Sequence, residues 1–441
     1  MGDLIQSLVE RHFGTARGEL LIDDVPVSLL ADKYGTPAFL YDQKVFDKKV
    51  VELKGVLPKR FNVCYSVKAN PNIFVLRHFL SRGYGLEIAS AGEFHLGLEA
   101  GCNPKRMLFA GPGKTEAELE MVLSQGIGEI HLESVTEARR VGSISRRLGM
   151  RARVALRVNP AGDAEGGAMR MGGRPAPFGV DEEILDDALD IVLNDTALEF
   201  RGIHLFTGTQ ILDANVLVNQ YRHGLEIARR TVKRTGEPLD RVDFGGGLGI
   251  PYFPHERELN LEELRSGLAS LFEATESDPA FTGTEFLIEP GRFLVGEGGV
   301  YLARVTDIKV SRGKKFLVID GGMNHHLAAS GNLGQTIKRN YPVALLNKLF
   351  TAPEETVDVV GPLCTPLDTL ARDVNLPRAD LGDLFGIFQS GAYARSASPL
   401  GFLSHPTPPE IWLDSGQHTL TRPRGKYTDA LLEGTAELKL R

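Results

Sequence analysis

The sequence predicts an α/β chain, a (β/α)8 barrel followed by an all-β domain, on three observations. Short apolar runs alternate with amphipathic, helix-forming stretches through the first two thirds of the chain. Eight such runs occur before residue 296, the number that closes a barrel. Beyond that point the runs continue while the long helical stretches stop. At 441 residues the chain is long enough for two domains and a large core.

The first run, 62–67, shows strict alternation at Val63, Tyr65 and Val67. The others follow at 85–89, 107–110, 129–132, 152–158, 202–206, 241–244 and 286–289. Helical stretches lie between them at 117–124, 134–148, 182–193 and 216–234. Ser90 followed by Glu93 reads as a helix start with a capping box. The Gly-, Met-, Arg- and Pro-rich stretch 162–179 reads as a long loop on the active-site side. After residue 296, runs at 300–310, 315–319, 356–360, 383–388, 410–413 and 418–422 predict the β domain, and residues 20–41 are strand-like in part. The expected divisions are 1–41, 42–296 for the barrel and 297–441 for the β domain.

Hydrophobic residues at 42% and charged residues at 24% suit a globular protein, and a net charge of −7 argues against a nucleic-acid partner. No apolar stretch is long enough for a membrane span, and residues 1–18 do not read as a signal peptide. Cys64, Cys102 and Cys364 have neither metal-site spacing nor the number for a disulfide framework. A cytoplasmic protein without a bound metal is expected.

Barrel active sites collect at the C-terminal ends of the strands, and the chemistry-bearing residues fall there. Lys68 ends the first run, where an amine partly withdrawn from water is a usable Schiff-base nucleophile. Asp243-Phe244-Gly245-Gly246-Gly247-Leu248-Gly249 follows a short strand, and backbone without Cβ atoms can approach a phosphate closely. Glu289-Pro290-Gly291-Arg292 places an acid directly after a strand and an arginine three residues on, which suits a pyridine nitrogen and an anion. Taken singly, these also fit a solvated lysine, a tight turn and a loop ion pair.

In order and spacing, Tyr65 to Asn70, the glycine run, Glu289 to Arg292, Gly361-Pro-Leu-Cys364 with Asp368, and Gly391-Ala-Tyr393 resemble one family. It is the fold-type III decarboxylases that use pyridoxal 5′-phosphate (PLP), the diaminopimelate and ornithine decarboxylase superfamily, with an alanine racemase-like barrel. The resemblance runs from about residue 31 to 411. It implies a homodimer with shared active sites and an N-terminal segment that joins the β domain. It makes Lys68 the Schiff-base lysine and Glu289 the partner of the pyridine nitrogen, where a related racemase has arginine. Gly246, Gly247, Thr209, Arg292 and Tyr393 match the phosphate cradle, and Phe206 stands where a histidine usually stacks on the ring. Glu87 and Glu93 match acids that orient the lysine or its neighbours. His204 matches a family histidine but fits a core histidine equally well. Cys364 resembles the thiol that the second subunit contributes as a proton donor.

The departures concern the substrate. Relatives that read a distal amine follow the cysteine with glutamate or aspartate; here Thr365 follows, with Asp368 beyond it. The Arg-Pro-x-Leu-Tyr stretch that reads a distal carboxylate is absent. The chain looks more like a branch serving specialised pathways, which includes the glutamyl-carrier-protein decarboxylase of butirosin-type biosynthesis and exosortase-associated decarboxylases. PLP-dependent decarboxylation of an amino acid, or of a carrier- or conjugate-bound aminoacyl group, is the expectation. Diaminopimelate decarboxylation and a non-catalytic, antizyme-inhibitor-like role are the alternatives.

Overall fold

The computed structural model describes residues 3–161, 169–170, 175–206, 208–335 and 337–432. The chain forms two units, one comprising Val50–Ile250 with Glu258–Phe293, the other Met1–Lys49, Pro251–Arg257 and Leu294–Arg441.

The first unit is a closed barrel. Its strands Phe61–Ser66, Gly85–Ile88, Met107–Phe109, Glu129–Leu132, Ala152–Asn159, Leu198–Leu205, Arg241–Asp243 and Glu285–Ile288 each pair in parallel with the next, and the last returns to the first. All eight predicted runs are therefore staves of one barrel. Parallel strands buried on both faces read as nearly unbroken apolar segments, and this made them visible. Capping side chains set the helix starts: Ser90 Oγ accepts from Glu93 N at 3.2 Å and Ser134 Oγ from Glu137 N at 3.1 Å, while Thr115 and Glu118 form a full capping box. The stretch expected to be helical over 182–193 divides into a 3₁₀ turn, Glu182–Ile184, and a helix, Leu185–Leu193. The loop expected over 162–179 lies largely outside the described residues. Within it, Met169–Arg170 pairs antiparallel with Gly208–Thr209.

The second unit is built on a nine-stranded sheet. Its long strand Gly299–Ser311 pairs with Lys314–Ile319, Leu384–Ile387 and Ala38–Asp42. Ala38–Asp42 also pairs in parallel with Glu410–Asp414, so a strand from near the N-terminus sits inside a sheet otherwise made by residues beyond 298. Leu8, Leu30, Leu40, Val300, Leu346 and Ile411 belong to the apolar core beneath it. Strands Val343–Leu345 and Thr369–Leu376, and helices Asp3–His12 and Val27–Tyr34, were not foreseen. Thr369–Leu376 sets Arg372, Asp373 and Asn375 among four apolar residues without strict alternation, which hides its period. Among the described residues no helix is long and apolar enough to cross a membrane.

Candidate active site

Barrel interiors are usually filled by layers of branched aliphatic residues. Here Cys64, Leu108 and Leu287 make only a small apolar cluster, and ionisable side chains occupy the strands around it. Glu129 with His131 and Arg241 with Asp243 are each two residues apart, hence on one face of their strands. Glu129, His131, His204, Asp243 and Glu289 are all buried. Buried charge persists only when paired, and these groups pair with one another.

Lys68 stands on a single 3₁₀ turn, Val67–Ala69, at the end of the first strand. Its side chain is 44% exposed, which leaves the amine reachable and less withdrawn from water than expected. Nζ donates to both oxygens of buried Glu87 at 3.0 Å, and Ser66 Oγ donates to Glu87 Oε2 at 2.5 Å. Burial opposes the charge on Glu87, but Lys68 and Ser66 outweigh it and hold the carboxyl below its usual range. Glu93 sits apart from this contact. Its carboxylate accepts from Ala89 N at 2.7 Å, the helix-start arrangement, and burial pushes its pKa up to about 7.

Glu289 lies at the next focus. His204 Nε2 is 3.2 Å from its Oε2, and His131 Nδ1 is 3.8 Å from its Oε1. The two imidazoles stack with centroids 4.3 Å apart. Burial, then the field of Glu87, pushes the Glu289 pKa up to about 7. Burial also works against charge on His131, but Glu129, 3.2 Å from its Nε2, and the field of Glu289 raise it. Burial and the neighbouring charge of His131 hold His204 well below its ordinary range. The set therefore holds two stacked imidazoles pushed in opposite directions beside a carboxyl whose own pKa is raised. Ligand atoms of His131, His204, Asp243 and Glu289 lie within 4.8 Å of one another, a spacing that could also hold a cation.

The glycine run closes the same end of the barrel. Asp243 Oδ1 accepts from Gly245 N at 2.8 Å, and Gly245 O accepts from Glu289 N at 2.7 Å. Gly247 has φ +122°, and a Cβ on Gly246 would stand 2.9 Å from the Glu289 carbonyl oxygen, so neither position tolerates a side chain without strain. The Phe206 ring lies against Gly245 and Gly246, with the Arg157 guanidinium 5.7 Å from its centroid. Arg157 is fixed by Glu133 at 2.8 Å. Thr209 is half-buried on Gly208–Thr209. Ser66 N donates to Pro290 O at 3.3 Å, and a Cβ on Gly291 would stand 2.8 Å from Ala69 Cβ. The segment bearing Glu289 and Arg292 thus packs directly on the turn bearing Lys68.

The barrel therefore gathers Lys68, Glu87, His204, Phe206, Thr209, Gly246, Gly247, Glu289 and Arg292. His131, Asp243 and Arg157 were missed as site residues. A histidine or acid two residues from another acid in an apolar run, as in Glu129-Ile130-His131-Leu132, was the available signal.

Cys364, Thr365, Asp368 and Tyr393 belong to the other unit. Cys364 is exposed, and Thr365 and Tyr393 are half-buried. Asp368 is buried, and its carboxylate accepts from Met323 N at 2.6 Å and Leu363 N at 2.8 Å.

Residues 44–296 match the family model for the pyridoxal binding domain of pyridoxal-dependent decarboxylases. The chain is 36% identical over 411 residues to the L-glutamyl-[BtrI acyl-carrier protein] decarboxylase of Niallia circulans, covering 92% of this chain and 96% of the relative. It is 33% identical to the diaminopimelate decarboxylase of Methanothermobacter thermautotrophicus, with 94% and 95% covered. Among solved structures, the diaminopimelate decarboxylase of M. jannaschii in complex with L-lysine superposes with a TM-score of 0.87 at 25% identity, over 96% of this chain and 98% of that one.

Proposed function

The chain belongs to the pyridoxal-dependent decarboxylases and is a PLP-dependent amino-acid decarboxylase; within that family we propose that it acts on an aminoacyl group borne by a carrier protein or conjugate. One observation carries the substrate reading. Between residues 361 and 372 the only acid is Asp368, and its two oxygens are engaged by backbone amides. The segment's one carboxylate is thus buried and turned to its own loop, and an ammonium left unpaired in a partly desolvated site costs on the order of several kcal/mol. The similarity to the carrier-protein decarboxylase supports the same reading.

The residues present fit PLP. Oε1 of buried Glu289 has no hydrogen-bond donor among the described residues, and the glycine run offers backbone that a Cβ would obstruct. When bound, PLP supplies a ring that withdraws the negative charge left on the α-carbon as carbon dioxide departs. Lys68 Nζ would hold the cofactor, oriented by Glu87, and would yield to the substrate amine. Glu289 would keep a proton on the pyridine nitrogen, with His204 and His131 holding its carboxylate. Phe206 would cover a ring face. Gly246, Gly247, Thr209, Arg292 and Tyr393 would bind the phosphate. Cys364 Sγ from a second copy would deliver a proton to the α-carbon, which makes the enzyme a homodimer. Its three unpaired cysteines suit the cytoplasm, and the carrier-borne substrate a specialised biosynthetic pathway.

The test compares carbon dioxide release from free lysine, ornithine and diaminopimelate with that from glutamyl conjugates and a glutamyl carrier protein. Conjugated substrates are expected to dominate. Turnover of free diaminopimelate with a kcat/KM near the roughly 10⁴ M⁻¹s⁻¹ floor of ordinary enzymes, with conjugates inert, would overturn the proposal.

A further inference from the structure

The protein carries a net charge of −7, yet residues 330–340 contain no acid, and 332–335 and 337–340 are wholly or partly exposed in the β unit. This loop is not free-hanging. Asn332 Nδ2 donates to Ser330 Oγ at 2.6 Å and to Leu367 O at 3.2 Å, and Lys338 Nζ donates to Asn332 Oδ1 at 2.6 Å. Asn340 Nδ2 donates to Arg372 O at 2.6 Å, and Arg372 N donates to Asn340 Oδ1 at 2.8 Å. The loop is therefore pinned to the segment that bears Cys364 and Thr365, and the two present one continuous face.

That face combines two unusual features. Leu333, Ile337 and Leu367 are exposed at 43%, 70% and 49%, more apolar surface than loop residues need to leave in water. Lys338, Arg339 and Arg372 are exposed beside them, and among the described residues none pairs with a carboxylate. The Arg339 guanidinium meets the His255 ring nitrogen, at 2.7 Å, and the face of Phe253, 5.4 Å from the ring centroid. Asp373, the nearest acid along the chain, is taken by Lys314 at 3.2 Å. Three cations without counter-charges around exposed aliphatic residues are set up for an anionic partner with an apolar contact.

Resting on the carrier-borne substrate of the preceding section, we propose that this face docks the carrier protein. Lys338, Arg339 and Arg372 would receive the phosphodiester that joins the carrier's pantetheine tether to its serine, together with the acidic side chains around it. Leu333, Ile337 and Leu367 would meet the apolar surface at the base of the tether. Two observations favour this occupant: the charge complementarity, and the continuity of the face with the Cys364–Thr365 segment proposed to complete the active site.

The experiment pairs Lys338→Glu with Arg339→Glu in the full-length holoenzyme. KM and kcat are measured for a glutamyl carrier protein and for a glutamyl thioester of pantetheine alone, with light scattering as a control on assembly. The expected result is a KM for the carrier raised about tenfold or more, with weaker salt dependence, while both constants for the small thioester stay within about twofold. The variant Lys338→Arg should retain the wild-type KM. Equal losses on both substrates, or dissociation of the dimer, would overturn the docking assignment, the latter making the face a subunit interface. An unchanged carrier KM in a protein that prefers carrier to free substrates would overturn docking alone. A wild-type enzyme that turns over free amino acids and ignores the carrier would overturn the carrier reading and the docking proposal with it.

Discussion

Glu289→Gln should make the cofactor-free protein more stable at pH 8 while weakening catalysis. The carboxyl is fully enclosed, flanked by His204 at 3.2 Å and His131 at 3.8 Å, with Glu87 lifting its pKa and His131, Lys68 and Arg157 lowering it. The balance moves it from the ordinary 4.5 to about 7. A carboxyl raised in the fold protonates more readily folded than unfolded, so its ionisation opposes folding. Below pH 4.5 it is neutral in both states and imposes nothing; the penalty grows through the interval and is complete above pH 7. At about 1.4 kcal/mol per pH unit the full penalty is about 3 kcal/mol. Glutamine, neutral throughout, escapes it, so the variant should gain about 1–3 kcal/mol at pH 8 after allowance for an altered contact with His204. The gain should vanish towards pH 4.5. Equilibrium urea unfolding of both apoproteins across pH 4.5–8 measures it, and PLP should then raise the midpoint of the wild type more than that of the variant. A gap of the same size at both ends of the pH range, or a variant less stable at pH 8, would refute the reasoning.

Mixing inactive Lys68→Ala with inactive Cys364→Ala subunits should restore activity under subunit exchange, because a mixed dimer carries one site with both residues; no recovery from two folded variants would refute the shared site. Gly247→Ala forces a side chain onto a backbone at φ +122°, which should lower stability by about 1–3 kcal/mol and weaken PLP binding. Thermal unfolding and PLP titration read the two effects, and an unaltered PLP affinity would remove the glycine run from the phosphate site.

By itself the sequence determined the eight barrel strands, the change to β structure after them, and Lys68, Glu289 and the glycine run at the strand ends. These are local properties: a buried parallel strand shows as an apolar run, and a glycine run shows where backbone must come close to something. The tertiary structure decided the rest. Ala38–Asp42 reads as an ordinary strand, and only long-range pairing places it between Gly299–Ser311 and Glu410–Asp414. That the Asp368 carboxylate accepts from the backbone amides of Met323 and Leu363 shows only in the folded chain. His131 and Asp243 look like polar interruptions in apolar strands, and become parts of the Glu289 environment only when four strands bring their side chains together inside the barrel. The charge state of a buried ionisable group depends on neighbours from other strands, and no single segment contains that information.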